Sequence, residues 1–291
     1  MKVLVTGAAG LLGSAVTAAF RASGDEVHAS VHAALDIVDA AAVERRVLAI
    51  RPDVIVNCAA YNDVDAAESH PVEALQVNAI GVRALAAAAR QAGAILVHYS
   101  TDFVFDGETT RPYVEEDEPK PQSVYAASKL LGEWFAADAA RYYVLRVESL
   151  FGGPGVRTGA RRGSLGTIVD RITRGEVVPV FVDRTVSPSY TPDVAMATQA
   201  LLASGAPWGT YHCVNAGSAT WREVAAHAAR RLGLELQIRE LTLASVAAPA
   251  ARPRFCAMSP ERLASLGIVM PPWQDAVERY LAADVQSSDA I

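Results

Sequence analysis

Tyr125 and Lys129 have the types and spacing of an acid–base pair. If the segment is helical, residues i and i+4 share one face, so the ammonium would lie beside the phenol. An isolated phenol has a pKa of about 10, too high for efficient proton transfer near neutrality, and a neighbouring positive charge lowers it. The pair alone is a weak signal, because a helix with a buried aromatic and a solvated lysine looks the same.

Thr101 strengthens this interpretation. It lies 24 residues before Tyr125, directly after an apolar run typical of a strand. Its hydroxyl group is suited to bind and orient a carbonyl oxygen, although a Ser-Thr pair after a strand more often serves a turn. The three residues together predict that Tyr125 protonates a carbonyl oxygen while hydride reaches the carbon. Lys129 would hold the ribose of a nicotinamide cofactor as well as lowering the pKa of Tyr125.

A glycine turn near the N-terminus could bind that cofactor. Gly7, Gly10 and Gly13 lie between an apolar run, 2–5, and a helical pattern, 11–21. Residues without Cβ let the backbone approach a pyrophosphate, whose charge then lies at the positive end of the helix. The spacing differs from the commoner Gly-x-Gly-x-x-Gly, and an ordinary tight turn is the alternative, but the strand–helix context favours a dinucleotide site.

The rest of the first half alternates short apolar runs with helical patterns, which predicts an α/β fold with a Rossmann-type doubly wound parallel sheet. The predicted strands are 27–31, 54–58, 95–99 and 143–147, and the predicted helices are 40–50, 71–92 and 125–140. We expect an NAD(P)-binding domain over residues 1–150 and a smaller C-terminal substrate-binding lobe over 151–291, partly interleaved with it. Ligands of such sheets bind at the carboxyl ends of the strands.

The second half offers basic side chains for a substrate. Arg157, Arg161 and Arg162 follow a glycine-rich break and would suit a diphosphate, although a solvated loop is equally consistent. Arg184 follows an apolar run over 177–182. Thr220 looks like a helix N-cap with Glu223 as its capping-box partner, and we assign this pair no chemistry.

The chain resembles the extended short-chain dehydrogenases/reductases and, among them, the dTDP-4-dehydrorhamnose reductase family. The resemblance is dense over residues 1–150 and weaker beyond. The segments that show it are 56–61, 65–68, 77–79, 100–107, 112–113 and 125–133, with shorter matches at 183–184 and 187–190. It implies reduction of the C4 ketone of a nucleotide-linked deoxysugar, with Thr101, Tyr125 and Lys129 as catalytic residues. On the substrate side we expect Asp102, Phe103, Arg184 and Tyr190.

Cofactor contacts are expected along the carboxyl edge of the sheet, and the residues so predicted are Gly7, Gly10, Leu11, Leu12, Gly13, Asp36, Ile37, Cys58, Ala59, Ala60, Tyr61, Asn78, Tyr99, Tyr125 and Lys129. The segment 29–33 that closes the second strand has neither a carboxylate for a ribose 2′-hydroxyl nor an arginine for a 2′-phosphate. We favour NADP(H) slightly over NAD(H). Asp36 could equally be the N-cap of the next helix.

Single residues distinguish the other activities of the superfamily. Sugar-nucleotide dehydratases carry Thr-Asp-Glu where this chain has Thr101, Asp102 and Phe103. An aromatic ring cannot transfer protons, so dehydration is disfavoured. A sugar-nucleotide epimerase remains an alternative, as does a non-catalytic regulatory subunit that binds a dinucleotide on the same fold.

Composition sets outer limits. The 291 residues are 51% hydrophobic and carry a net charge of −6 without a long basic run, which argues against nucleic-acid binding. Three widely spaced cysteines give no disulfide or zinc framework, and no metal site is predicted. We expect a cytoplasmic protein without a membrane partner. The sequence leaves the oligomeric state open between a monomer and a homodimer: the resemblance points to the helices 71–92 and 125–140 as a dimer surface, but both also cover the sheet.

Overall fold

The structure is a computed structural model that describes residues 1–152 and 163–288, with side chains as far as residue 283. The strands are β1 (Lys2–Thr6), β2 (Glu26–Ser30), β3 (Val54–Asn57), β4 (Ile95–Thr101), β5 (Tyr142–Val147), β6 (Leu150–Phe151), β7 (Val178–Phe181), β8 (Thr185–Val186), β9 (Ser189–Tyr190), β10 (Gly209–His212), β11 (Ala219–Thr220) and β12 (Ile238–Leu241). The helices are α1 (Leu11–Ala22), α2 (Ala40–Ile50), α3 (Val64–Ser69), α4 (Pro71–Leu75), α5 (Gly81–Ala92), α6 (Val124–Ala136), α7 (Gly163–Thr173), α8 (Thr191–Ser204), α9 (Trp221–Leu232), α10 (Glu261–Ala264) and α11 (Trp273–Ser288).

Six parallel strands form the central sheet, in the order β10-β5-β4-β3-β1-β2. β1 is the second strand from one edge, with the edge strand β2 on one side and β3 on the other, so the chain changes direction of winding at β1. A crevice opens at this kind of switch point, outside the carboxyl ends of the strands. The predicted fold class is confirmed, and the sheet brings the ends of β1, β3, β4 and β5 to one edge.

Hydrophobic clusters cover both faces of the sheet because its strands are apolar on both sides. One cluster includes Val16 and Phe20 of α1 with Leu201 of α8, and the other includes Val47 of α2 with Leu85 of α5. A third cluster lies among α7, α9 and α11, away from the sheet. Thus α8 and β10, although late in the chain, pack with the first half.

Helix caps agree with the sequence in one case and correct it in another. Thr220 caps α9, and Glu223 completes the capping box, as predicted. The alternative for Asp36 is wrong: the N-cap of α2 is Asp39, whose Oδ1 accepts a hydrogen bond from Ala42 N at 2.9 Å. Asp36 instead accepts from the backbone N–H of Val38. The helix starts three residues later than that alternative required.

The predicted single helix over 71–92 is interrupted by a π-helical turn, Gln76–Ile80, between α4 and α5. By length and composition this run of 22 residues could cross a membrane, but half of the apolar window is buried inside the protein. Such turns place an extra residue in the helix and occur often at functional sites. Here the turn carries Asn78 inward. The helix predicted over 125–140 is also shorter, since α6 gives way to a 3₁₀ turn at Ala137–Ala139.

Candidate active site

A cavity of about 960 Å³ lies at the carboxyl edge of the sheet. Its size is at the upper end of the range for small-molecule sites. Many of the residues predicted for cofactor and substrate line it, namely Gly10, Leu11, Leu12, Gly13, Cys58, Ala59, Ala60, Tyr99, Thr101, Asp102, Phe103, Tyr125, Lys129 and Arg184. The topology therefore gathers residues from positions 10 to 184 into one space.

The glycine turn has the shape that a dinucleotide requires. Gly7 has a φ of +63°, and a Cβ there would lie 2.6 Å from the backbone nitrogen of Ala59. A Cβ on Gly13 would overlap the carbonyl oxygen of Gly7. Gly10 is the N-cap of α1, and as a glycine it has no side chain to bond to the first amides of that helix. The turn fits the pyrophosphate of NAD(P), because a helix N-terminus favours an anion.

Thr101, Tyr125 and Lys129 meet in this cavity. Thr101 ends β4, and Tyr125 and Lys129 follow one another along α6, whose N-cap Ser123 accepts a hydrogen bond from Ala126 N. The Lys129 ammonium donates to the carbonyl oxygen of Tyr99 at 2.6 Å. This bond fixes the amine above the carboxyl end of β4.

Burial dominates the titration of the pair. Desolvation raises the pKa of Tyr125 far above its usual value, against a smaller lowering by hydrogen bonding with Thr101. Desolvation also lowers the pKa of Lys129 to about 8, and the nearby Glu133 and Cys58 act in the opposite direction. The Tyr125 pKa is thus raised where the sequence predicted it to be lowered, because burial outweighs the influence that lowers it. Tyr125 consequently holds its proton at neutral pH.

Several predicted site residues lie outside the described lining of the cavity: Gly7, Asp36, Ile37, Tyr61, Asn78 and Tyr190. Asn78 forms hydrogen bonds with Tyr61 and Ser128, which adjoin the lining residues Ala60 and Lys129 in sequence. Its Oδ1 accepts from Tyr61 N at 2.8 Å, and its Nδ2 donates to Tyr61 O and to Ser128 Oγ, both at 3.0 Å. Ile37 is buried and packs beside Gly81 at the start of α5.

Tyr190 does not reach the cavity because its ring is held in the second lobe. It stacks on Phe151 with a centroid distance of 5.5 Å, and the guanidinium of Arg279 lies 5.2 Å from its ring. Its predicted substrate contact is therefore absent from the described lining. Arg157, Arg161 and Arg162 lie outside the described residues.

Arg184 comes from the second lobe and faces two buried carboxyl groups, Asp102 and Glu148. Its Nε donates to Pro253 O at 3.2 Å, its Nη2 to Cys256 Sγ at 3.1 Å, and its guanidinium lies 5.6 Å from the Phe103 ring. Desolvation raises the pKa of Asp102 to about 6, with Arg184 opposing this shift. Arg184 thus brings a positive charge from the second lobe to residues that follow β4 and β5 of the sheet.

Sequence reasoning missed one wall of the cavity. Arg252 forms a bidentate ion pair with Asp65, with Nη2–Oδ2 at 2.6 Å and Nη1–Oδ1 at 3.0 Å, and both residues line the cavity together with Trp221. The backbone N–H of Ala250 also donates to Asp65. No local pattern could have paired residues 187 positions apart.

Comparison with known proteins agrees with this geometry. The family model described as the RmlD substrate binding domain matches residues 1–286. The chain belongs to this family. The resemblance stated from the sequence is thereby confirmed.

Three relatives illustrate the likeness. A dTDP-4-dehydrorhamnose reductase of Streptomyces griseus is 38% identical over 272 residues, covering 91% of this chain and 88% of the relative. The crystal structure of a dTDP-4-dehydrorhamnose reductase from Clostridium acetobutylicum ATCC 824 has a TM-score of 0.90 and 31% identity, covering 97% of this chain and 99% of the other. That of the Bacillus anthracis str. Ames reductase, in complex with NADP, has a TM-score of 0.90 and 32% identity, covering 97% and 100%.

Proposed function

We propose that this chain is an NAD(P)H-dependent reductase of the 4-keto group of a nucleotide-linked deoxysugar, like dTDP-4-dehydrorhamnose reductase. The observation that carries the proposal is the meeting of Thr101, Tyr125 and Lys129 in one cavity with the glycine turn. The names of the similar proteins support the substrate class.

Tyr125 is the proton donor. A group that protonates an oxyanion must still hold its proton when the substrate arrives, and burial ensures this by raising the phenol pKa. The bound nicotinamide would supply the hydride. The neutral phenol then transfers its proton to the ketone oxygen as negative charge develops there.

Lys129 carries the charge that stabilises the tyrosinate left after transfer. Its pKa of about 8 keeps most of the ammonium protonated at neutral pH, and its bond to Tyr99 O holds it in place. Because the ammonium lies in a buried site, its effect on a newly formed phenolate is stronger than in water. The same amine is suited to the cofactor ribose.

NADP(H) is the cofactor we favour. The backbone around Gly7, Gly10 and Gly13 would hold the diphosphate, which NADPH and NADH share, so it does not distinguish the two cofactors. Support for NADP(H) comes from the bound NADP of the Bacillus anthracis relative and from the absence of a carboxylate in the segment 29–33.

The test is turnover of a dTDP-linked 4-keto-6-deoxysugar, followed by oxidation of NADPH and of NADH in parallel. Tyr125→Phe should lower kcat by about 10²–10⁴-fold, the usual contribution of a general acid, while cofactor affinity stays close to that of the wild type. Phe preserves the ring and its edge contact with Phe103, at 5.7 Å between centroids, so packing is matched. Cofactor binding without turnover on a broad panel of keto-sugar nucleotides would refute the proposal and favour the regulatory subunit.

A further inference from the structure

Two buried carboxyl groups lie together beneath the proposed reaction site. Asp102 follows β4 and Glu148 follows β5, and the pairing of Thr101 with Val147 sets them side by side at the ends of neighbouring strands. They are only 4% and 2% exposed. A ligand atom of each, together with the sulfur of Cys256, falls within a span of 4.8 Å.

The charges around this pair do not balance if both carboxyl groups ionise. The described groups that face it are the Arg184 guanidinium, the Cys256 thiol, the Tyr125 phenol and the Thr101 hydroxyl. Burial raises the pKa values of the thiol and the phenol, so both stay neutral. One positive charge thus faces two carboxyl groups. Two like charges this close in a buried site cannot both ionise readily, so one proton remains.

The pair also has room for that proton. Asp102 Oδ2 and Glu148 Oε1 are buried and have no hydrogen-bond partner among the described residues. The other oxygens are occupied: Asp102 Oδ1 accepts from Thr101 Oγ1 at 2.9 Å, and Glu148 Oε2 accepts from Ser187 N at 2.6 Å. Burial raises the pKa values of both carboxyl groups, to about 6 for Asp102, which likewise favours a proton on the pair.

The proton matters because of the direction of the Thr101 hydrogen bond. Thr101 Oγ1 donates its single hydrogen to Asp102 and accepts from Phe103 N at 3.2 Å. With its hydrogen directed to Asp102, the hydroxyl has none to give to a substrate ketone. If Asp102 carries a proton on Oδ2, a half-turn of the carboxyl group about its Cβ–Cγ bond lets that O–H donate to Thr101 Oγ1 instead, and the threonine hydrogen becomes free.

We propose that Asp102 and Glu148 share one proton, and that moving it to Asp102 reverses the Thr101 hydrogen bond and turns the threonine hydrogen toward the ketone. The proton leaves Glu148 Oε1 and binds Asp102 Oδ2, the two oxygens without another partner among the described residues, and the Asp102 carboxyl group then turns so that this O–H meets Thr101 Oγ1. The charge of the pair is unchanged. Both carboxyl groups are positioning residues that act through Thr101. The inference rests on the proposed function and adds to it the source of substrate orientation.

Three variants test the inference by kinetics. Glu148→Gln removes the second site for the proton, so Asp102 ionises against Arg184 and keeps the Thr101 hydrogen. We expect kcat to fall by about 10–100-fold, toward the lower end of proton-transfer effects, with a much smaller change in KM. Asp102→Asn offers an amide N–H to Thr101 and should cost less than Glu148→Gln, although residue 102 is the nearer of the two. The double variant should recover toward Asp102→Asn alone.

The pH dependence separates this role from a merely structural one. In the wild type kcat should fall with rising pH in two steps, one as the pair loses its proton and one as the Lys129 ammonium loses its own. Asp102→Asn should keep only the lysine step, because its amide does not titrate. A larger loss in Asp102→Asn than in Glu148→Gln, or a double variant no better than Glu148→Gln, would overturn the proposal. Melting temperatures control for folding, and the amide oxygen that Glu148→Gln introduces can still accept from Ser187 N.

Infrared spectroscopy tests the shared proton without any substrate. Near pH 7 the wild type should show the C=O band of one protonated carboxyl group, and each single variant should lack it. A wild type without the band refutes the inference even if the enzyme reduces keto-sugars, and so does a band that survives in both single variants. Failure to reduce any keto-sugar nucleotide refutes the proposed function, whatever the band shows.

Discussion

Removing Glu133 should destabilise the protein and alter its pH profile at the same time. Glu133 lies one helical turn beyond Lys129 on α6 and forms two hydrogen bonds with Arg146, Oε1–Nε at 2.9 Å and Oε2–Nη2 at 2.7 Å. Both side chains are at most 6% exposed, and the guanidinium packs 5.0 Å from the Phe105 ring. In Glu133→Ala this cation would remain buried without its partner.

The expected loss is large because the pair is buried. Breaking a buried ion pair by removing one partner costs about 3–5 kcal/mol. For a domain of this size each kcal/mol lowers Tm by about 2–4 °C, so Tm should fall by about 6–20 °C. An exposed pair, Arg222–Glu240 at 2.8 Å, supplies the control. Glu240→Ala should change stability by about 1 kcal/mol or less.

The catalytic consequence follows from the charge on Glu133. That carboxylate raises the pKa of Lys129, which burial has already lowered to about 8. Without it the lysine pKa should fall further. The alkaline limb of kcat, where the ammonium loses its proton, should move to lower pH in Glu133→Ala.

Thermal unfolding by circular dichroism and a pH series of NADPH oxidation measure the two effects. The variant Glu133→Leu/Arg146→Met removes both charges together and should be more stable than Glu133→Ala, since a hydrophobic replacement leaves no buried charge unpaired. The reasoning fails if Glu133→Ala loses no more stability than Glu240→Ala. It also fails if the double variant is the less stable of the two.

Two further expectations concern the cofactor turn and the lobe contact. Gly13→Ala should lose about 1–3 kcal/mol of stability even without cofactor, because its Cβ overlaps the Gly7 carbonyl oxygen. In Gly10→Ala the new Cβ would lie 3.2 Å from that oxygen, so this variant should weaken NADPH binding with little effect on the unfolding of the free protein. Equal melting temperatures for the two variants would count against this account. Arg184→Ala should raise KM for the sugar nucleotide by about tenfold or more, far more than KM for the cofactor, since charged hydrogen bonds from the guanidinium to the substrate would be lost. Equal effects on both KM values would show that the guanidinium does not bind the sugar nucleotide.

The sequence was most informative where the signal is local. Apolar runs located the strands of the sheet to within about two residues, because a parallel strand buried on both faces has a recognisable composition. The capping box of Thr220 and Glu223 was equally legible, since its two partners are three residues apart. The π-helical turn at Gln76–Ile80 left no such trace, as it depends on how Asn78 meets Tyr61 and Ser128.

Electrostatics was the least predictable part of the site. The spacing of Tyr125 and Lys129 is visible in the sequence, but the desolvation that governs both pKa values depends on packing from many segments. The contact between Arg252 and Asp65 is likewise a product of the completed fold. Motifs therefore locate the residues that meet in the cavity more reliably than they describe the environment that sets their pKa values.

The ion pair between Asp65 and Arg252 has a consequence for biosynthesis. A ribosome delivers the chain from its N-terminus, so the glycine turn and most strands of the sheet emerge well before residue 252. The cavity therefore lacks this wall until residue 252 has been made, and the sheet lacks β10 until residue 212 has been made. Premature termination after the first half would leave a polypeptide without α8, β10 and Arg252, so both the sheet and this wall of the cavity would be incomplete.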